Sequence, residues 1–234
     1  MRRAALAAVA LLALAALPAR AEERQAGIGS FEFQAGQYRP MIDSEFVMPA
    51  GVLPPFENNF GTSKRWLFKF HGGKALVRGF GTLELGGGIG WVQFKGNGHF
   101  ADGSVSQDPT GFRVLPLSLD LTWRIDQVWE RYSIPVIPFA RVALLRDQWW
   151  ATGSSGRADK SGATNGFGWG GGLALVLDFL DPTLSRELDR DSGIKHTMLV
   201  FEVQQATVND FGSKSSWDLS NDGPMLTFGL MFSF

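Results

Sequence analysis

The 234-residue chain contains no cysteine, three histidines and two tyrosines. Without cysteine there is no disulfide framework and no thiolate metal site, so stability must come from packing and backbone pairing. His71, His99 and His196 are scattered and make no metal set, and no cofactor is expected. The formal net charge is −1, which removes the electrostatic case for nucleic acid. Beyond the N-terminal segment no stretch holds the ~18 apolar residues of a spanning helix. What the chain has in quantity is glycine, 29 residues, and aromatics, 12%, a mixture suited to β-barrels more than to helical bundles. A mean hydropathy of −0.02 is no objection, because only every second residue of a barrel strand meets lipid.

The first segment reads as a targeting signal. Arg2-Arg3 form a basic start, Ala4 to Leu17 an apolar run, and Ala19-Arg20-Ala21 a small-residue cleavage site before Glu22. Residues 1–21 are therefore expected to be removed, leaving 22–234 as one barrel domain. Cleavage would leave 19 of the 22 basic residues against 23 acidic ones. With no cysteine after the site, lipoprotein anchoring is excluded.

The stretch Met225–Phe234 alternates strictly, with Leu226, Phe228, Leu230, Phe232 and Phe234 on one face. That is a period-two strand with an aromatic apolar face. Similar alternation recurs upstream. Strand one carries Phe31, Phe33 and Ala35. Strand two carries Trp66, Phe68 and Phe70, and Gly72-Gly73-Lys74 is expected to turn it. Strand three, about Arg78 to Val92, sets Leu83, Leu85, Ile89 and Trp91 against Thr82, Glu84, Gly86, Gly88 and Gly90. Its glycine run is not a phosphate loop, since no helix and no Lys-Ser/Thr follow. Strand four sets Leu115, Leu117, Leu119, Leu121 and Trp123 against Pro116, Ser118, Asp120, Thr122 and Arg124. Strand five runs from Ile134 to about Gln148. Strand six turns Phe167, Trp169, Leu173 and Leu175 away from Gly168, Gly170 and Gly172, and strand seven turns Leu199, Phe201 and Val203 away from Met198, Val200 and Glu202. Lys95–Gly111, the glycine- and serine-rich Ala151–Asn165 and Asn209–Gly223 are expected as polar loops. One short helix is expected within Pro182–Arg190, capped by Asp181 and ended by Gly193.

Eight strands is an even number, as single-chain outer-membrane barrels require. The expected fold is an all-β, up-and-down antiparallel barrel, with both mature termini periplasmic and the long loops outside. Trp66, Trp91, Trp149 and Trp169 fall at expected outer strand ends and Trp123 at an inner one, as two aromatic girdles demand. The mature chain thus resembles small eight-stranded bacterial outer-membrane β-barrel proteins. It is more narrowly similar to an uncharacterised barrel family of myxobacteria and related bacteria, through Tyr38-Arg-Pro-Met-Ile-Asp43, Leu188-Asp-Arg-Asp-Ser-Gly-Ile-Lys-His-Thr197 and the terminal Leu-Met-Phe-Ser-Phe. The resemblance implies residence in outer-membrane lipid, and Phe232 and Phe234 as part of the signal read by the barrel-insertion machinery.

With lipid outside, the charged faces point inward. Glu32, Glu84, Asp120, Arg141 and Glu202 come to similar heights, with Lys69 and Arg124 lower. Eight strands leave an interior that side chains fill, and buried charges must pair. The expected lumen is a charge network with Arg141 central among Glu84, Asp120 and Glu202. A serine–histidine enzyme is the weaker reading: His71 is expected near the periplasmic rim, His99 in a loop, and Ser192 and Asp191 in a turn beside His196. A lipocalin-like soluble barrel would put the leucine faces inside. The functions left open are a membrane scaffold, a surface-interaction module meeting an extracellular partner, a narrow conduit, or a carrier of small apolar ligands. Two inward glycine sets, Gly86, Gly88, Gly90 and Gly168, Gly170, Gly172, leave space that the apolar Tyr38–Lys64 loop could cover through Phe46, Val47, Met48, Val52, Leu53 or Phe56. Otherwise the glycines ease curvature and the loop meets lipid headgroups or a partner.

Overall fold

The computed structural model describes residues 29–99, 104–132, 134–153, 158–213 and 215–234; the expected targeting signal lies outside them. The strands are β1 (Gly29–Tyr38), β2 (Arg65–Gly79), β3 (Gly81–His99), β4 (Val105–Arg124), β5 (Val136–Thr152), β6 (Ala158–Val176), β7 (His196–Val208) and β8 (Met225–Ser233). Each pairs antiparallel with its neighbours, and β1 pairs with β8, so the sheet closes. Closure leaves no edge strand in the barrel wall, the condition for β-structure in hydrocarbon; only the ends of the β3–β4 and β5–β6 hairpins extend past their outer neighbours. Partners followed from Glu32 through β2 to β6 reach Val208 on β7, whereas the route through β8 reaches Met198. The two lie ten residues apart, and that stagger tilts the strands about the axis.

The alternation sorts the faces as the sequence implies. Leu119, Val142, Leu144, Phe167, Leu173, Phe201, Leu226 and Phe228 are exposed on the outside, while Glu32, Glu84, Asp120, Thr122, Arg124 and Glu202 are buried within. This polarity is the reverse of a lipocalin-like barrel and is that of a barrel spanning a membrane.

Several boundaries differ from expectation. Gly72, Gly73 and Lys74 do not turn; they pair with Phe31, Ser30 and Gly29 inside β2, and the reversal comes at the single residue Phe80. Gly73 is a glycine because any side chain there would overlap the Glu84 carboxylate. Gly81, at φ 86°, makes the tight reversal. Trp123 Nε1 donates to the Phe80 carbonyl at 3.0 Å and Gln127 Nε2 to that of Gly79 at 2.7 Å. Most of Lys95–Gly111 and Ala151–Asn165 is strand, not loop: β3–β4 and β5–β6 extend as two paired hairpins. Polar composition hid them because these strand ends have no apolar face to alternate. The long connections are consequently those after β1 and β7 at one end and after β4 and β6 at the termini end, so the expected placement of every long loop on the outer side does not hold; the end with the β1 and β7 connections and the two hairpin extensions is the long-loop end.

Helices number three where one was expected, among the described residues: α1 (Pro55–Phe60), α2 (Gln127–Tyr132) and α3 (Pro182–Ser192), with a 3-10 turn at Ile42–Glu45. The foreseen helix is α3. Asp181 accepts from the Thr183 and Leu184 amides at 3.0 Å each, and Gly193 closes it at φ 71°. In α1, Pro55 sits at the first position and Asp43 accepts from the Phe56 and Glu57 amides at 2.8 and 3.0 Å. The side chain of a distant turn thus supplies the cap that the local sequence lacks.

The exterior belt generates a test. Leu119→Arg, on the outward face in mid-strand, should destabilise the barrel in lipid vesicles by ~2–4 kcal/mol, read from the urea midpoint. A barrel whose leucine faces met water would show no such loss.

Candidate functional site: a sealed, charged lumen

Three layers fill the interior. Nearest the chain termini, Ile137, Phe139, Ala174, Val176, Met198, Val200 and Met231 form an apolar floor, with Trp129 of α2 packed against it. Above it lies the charged layer. At the long-loop end Phe94, Phe112, Val92 and Val114 from the β3–β4 hairpin meet Tyr38, Ile42, Phe56, Val208, Leu219 and Met225 in an apolar roof.

Arg141 centres the charged layer. Its Nη2 donates to Glu32 at 2.7 Å, its Nη1 to Glu202 at 3.1 Å and its Nε to Thr122 at 2.9 Å, with Asp120 3.8 Å away. The expected partner set needs one correction: Glu84 belongs to Arg124 at 2.8 Å and accepts from Ser30, while Glu32 takes its place beside Arg141. Gln34 stitches Glu32 to Glu202 by donating to both. Lys69 donates to Gln204 at 2.8 Å. It stands toward the long-loop end, opposite Gln34 and Gly90, and not below the network as expected, because β2 continues past His71 to Gly79.

The same extension moves His71 from the rim to the centre, where Nε2 lies 2.9 Å from Asp120 and Nδ1 3.6 Å from Glu32. Sequence reasoning missed it for that reason alone; its parity with Lys69 was visible. Both ring nitrogens face carboxylates, so neither is free to activate a serine. The other candidate does not assemble: His196 Nδ1 meets Asp178 at 2.5 Å, Ser192 donates to Leu188 within α3, and Asp191 pairs with Arg190 at 2.9 Å. The side chain of His99 lies outside the described set.

Inward glycines make room for this layer. A side chain at Gly86 would strike the His71 ring, and one at Gly170 would come within 2.7 Å of Glu202. Part of the space foreseen at the glycines is therefore occupied by charged groups. The remainder is a cavity of about 80 Å³ between the charged layer and the roof, bordered by Gly88, Gly90 and Gly168. Below Arg141 a second void of about 10 Å³ has space for one water at most.

Trp66, Trp91, Trp123 and Trp169 are exposed on the barrel exterior. Trp149 departs from the expected girdle: it points inward and stacks on Trp217 with centroids 4.3 Å apart. Its parity matched the inner face of β5, and the Trp217 loop gives it a partner. That loop, expected as a polar connection, buries Leu219 completely, and Tyr38 Oη donates to the Leu219 carbonyl at 2.6 Å. Of the Tyr38–Lys64 apolar residues, Ile42 and Phe56 enter the roof, Phe56 with its ring 5.0 Å from Phe94. Phe46, Val47, Val52 and Leu53 stay exposed, Val47 fully. Phe232 and Phe234 sit at the β1–β8 seam, where the Phe234 and Gly29 backbones exchange hydrogen bonds of 2.9 and 3.1 Å.

No family model and no curated protein matches the chain, so the narrower family resemblance gains no support. Among solved structures it is similar to the N-terminal β-barrel domain of Pseudomonas aeruginosa OprF, at 13% identity and a TM-score of 0.41, covering 89% of this chain and all of that one. It is also similar to Ail of Yersinia pestis, at 10% and 0.39 over 90% and 100%, and to Escherichia coli outer membrane protein W, at 13% and 0.36 over 90% and 100%. Likeness at this level carries no ligand or partner across.

Two expectations follow. Arg141→Ala should leave Glu32 and Glu202 without their cation and cost ~3–5 kcal/mol, measured as a fall in the urea midpoint of the refolded barrel; an unchanged midpoint would deny the network its structural role. The loop after β7 has its own tie. Asp210 accepts from the Ser216 hydroxyl and from the Asn165 amide and side chain, and these bonds hold its carboxyl below the usual aspartate range. A depressed folded value means the contribution is complete above the ordinary aspartate pKa and is lost as pH falls through the folded one. Protease cleavage of this loop should therefore rise only below about pH 4, and Asp210→Asn should abolish that dependence.

Proposed function

We propose that the protein is a non-enzymatic outer-membrane barrel, exported by its N-terminal signal, with the termini end periplasmic and the long-loop end outside. It serves as a closed membrane scaffold that presents the long-loop end to an extracellular partner. The observation that carries this reading is the stack across the lumen of an apolar floor, paired charges and an aromatic roof. An ion crossing it would have to break the Arg141 pairs and pass two apolar layers, which disfavours the conduit. Lys69, Asp147 and Gln204 around the cavity disfavour a carrier of apolar ligands. At the termini end the single-residue Phe80 turn fits the short periplasmic connections of such barrels, whereas the connections after β4 and β6 at that end are longer and carry α2 and α3.

For a surface module, the long-loop end offers Phe46, Val47, Val52 and Leu53 on one loop and Phe211 on the other, all exposed. Phe211 and Asp210 hold φ of 57° and 49°, a left-handed backbone that bulky residues adopt only when surroundings impose it. The Asp210 bonds to Asn165 and Ser216 impose it here.

Purified barrel in a planar bilayer should show no steady conductance. Well-defined open steps from the unmodified protein would overturn the closed-scaffold reading and restore the conduit.

A further inference from the structure

The cavity between the charged layer and the roof contains charges that the network does not satisfy. Among the described residues Lys69 bonds only to the neutral Gln204, and no carboxylate of theirs lies within ion-pair distance of it. Asp147 is 4% exposed, and among the described residues its Oδ1 has no hydrogen-bond partner and no cation lies within ion-pair distance of it. Gln204 Nε2 is likewise buried and unbonded, and His71 Nδ1 makes no hydrogen bond. All four side chains line this one cavity, together with Ser118. A buried polar group without a partner costs several kcal/mol. Native interiors carry few of them, yet three unbonded polar atoms belong to side chains that line this one void, Asp147 Oδ1, Gln204 Nε2 and His71 Nδ1 (the last 3.6 Å from Glu32), beside a lysine whose bond is to a neutral amide.

The two charges are of opposite sign, stand on different walls and do not reach each other. Asp147 sits near the roof, in the β5 stretch facing Pro116 and Thr164, whereas Lys69 belongs to the floor of the cavity beside the Arg141 layer. A monovalent ion would satisfy one and leave the other. At roughly 10–15 Å³ per water centre, about 80 Å³ corresponds to about six water positions, the size of a molecule with five or six heavy atoms.

We infer that this cavity binds a small zwitterion of amino-acid type, its ammonium toward Asp147 and its carboxylate toward Lys69 and Gln204 Nε2. Tyr38 and Leu219 both line the cavity, and Tyr38 Oη holds the Leu219 carbonyl; release of that bond is the proposed entry step. The site stands whether or not the long-loop end binds a partner.

Saturation-transfer NMR with ¹³C-glycine on the full refolded barrel in detergent tests this. Glycine should bind saturably, and acetate and methylammonium, each carrying one of the two charges, should compete about tenfold or more less well. Lys69→Met and Asp147→Asn should each weaken glycine by a similar factor. Tyr38→Phe, which removes the latch and keeps every charge, should preserve the affinity and speed exchange. Equal competition by acetate or methylammonium, or unchanged binding in both charge variants, would overturn the zwitterion. No binding by either the unmodified barrel or Tyr38→Phe would leave the void to ordered water alone and overturn the site.

Discussion

A strand in hydrocarbon has no water to satisfy its peptide groups, and from that one constraint the rest of this molecule follows. Eight strands meet it only by closing, and here β1 and β8 complete the circle. Closure fixes a ten-residue stagger, and the stagger decides which side chains share a level. It brings Arg141 on β5 against Glu32 on β1 and Glu202 on β7, residues that nothing in the linear chain relates. Narrowness then does the remaining work: a barrel of this size has no room for solvent around its inner side chains, so each charge must find a partner or a cavity.

The interior shows how tightly that space is shared. Glu84 lies over Gly73, the His71 ring over Gly86 and the Glu202 carboxylate beside Gly170. Each of these large charged side chains is matched by an absent one on an adjoining strand. The inward glycines serve the ion pairs before they serve strand curvature. Where the pairing ends, around Gly88, Gly90 and Gly168, the larger of the two described voids remains.

Strand count, face assignment and the inward position of seven charged residues were legible because a two-residue period survives in single sequence. Strand ends were not. Gly72-Gly73 reads as a turn, yet it lies in mid-strand for the sake of Glu84, which is ten or more residues away. That misplacement alone put His71 at the rim. The hairpin extensions of β3–β4 and β5–β6 escaped because strands with no lipid-facing side lose the alternation that reveals them. Trp149 could have been assigned inward by parity, but Trp217, its reason for being there, comes from another loop. The exchange of Glu84 for Glu32 beside Arg141 was beyond reach, since it depends on the stagger, a property of the closed sheet and of no single strand.

The seam between β1 and β8 joins residues that are remote in the chain: Ser30 pairs with Ser233, 203 positions later. Every other strand pairs with a neighbour in sequence, so seven hairpin contacts can form early and locally, while the eighth must wait for translation to deliver β8. Until then β1 has an open edge and half of the Glu32–Arg141–Glu202 cluster has no wall to rest on. Loop closure over such a span is slow, and an exposed edge invites pairing with other chains. The interval between synthesis and closure is therefore the one in which the β1 edge is open to other chains.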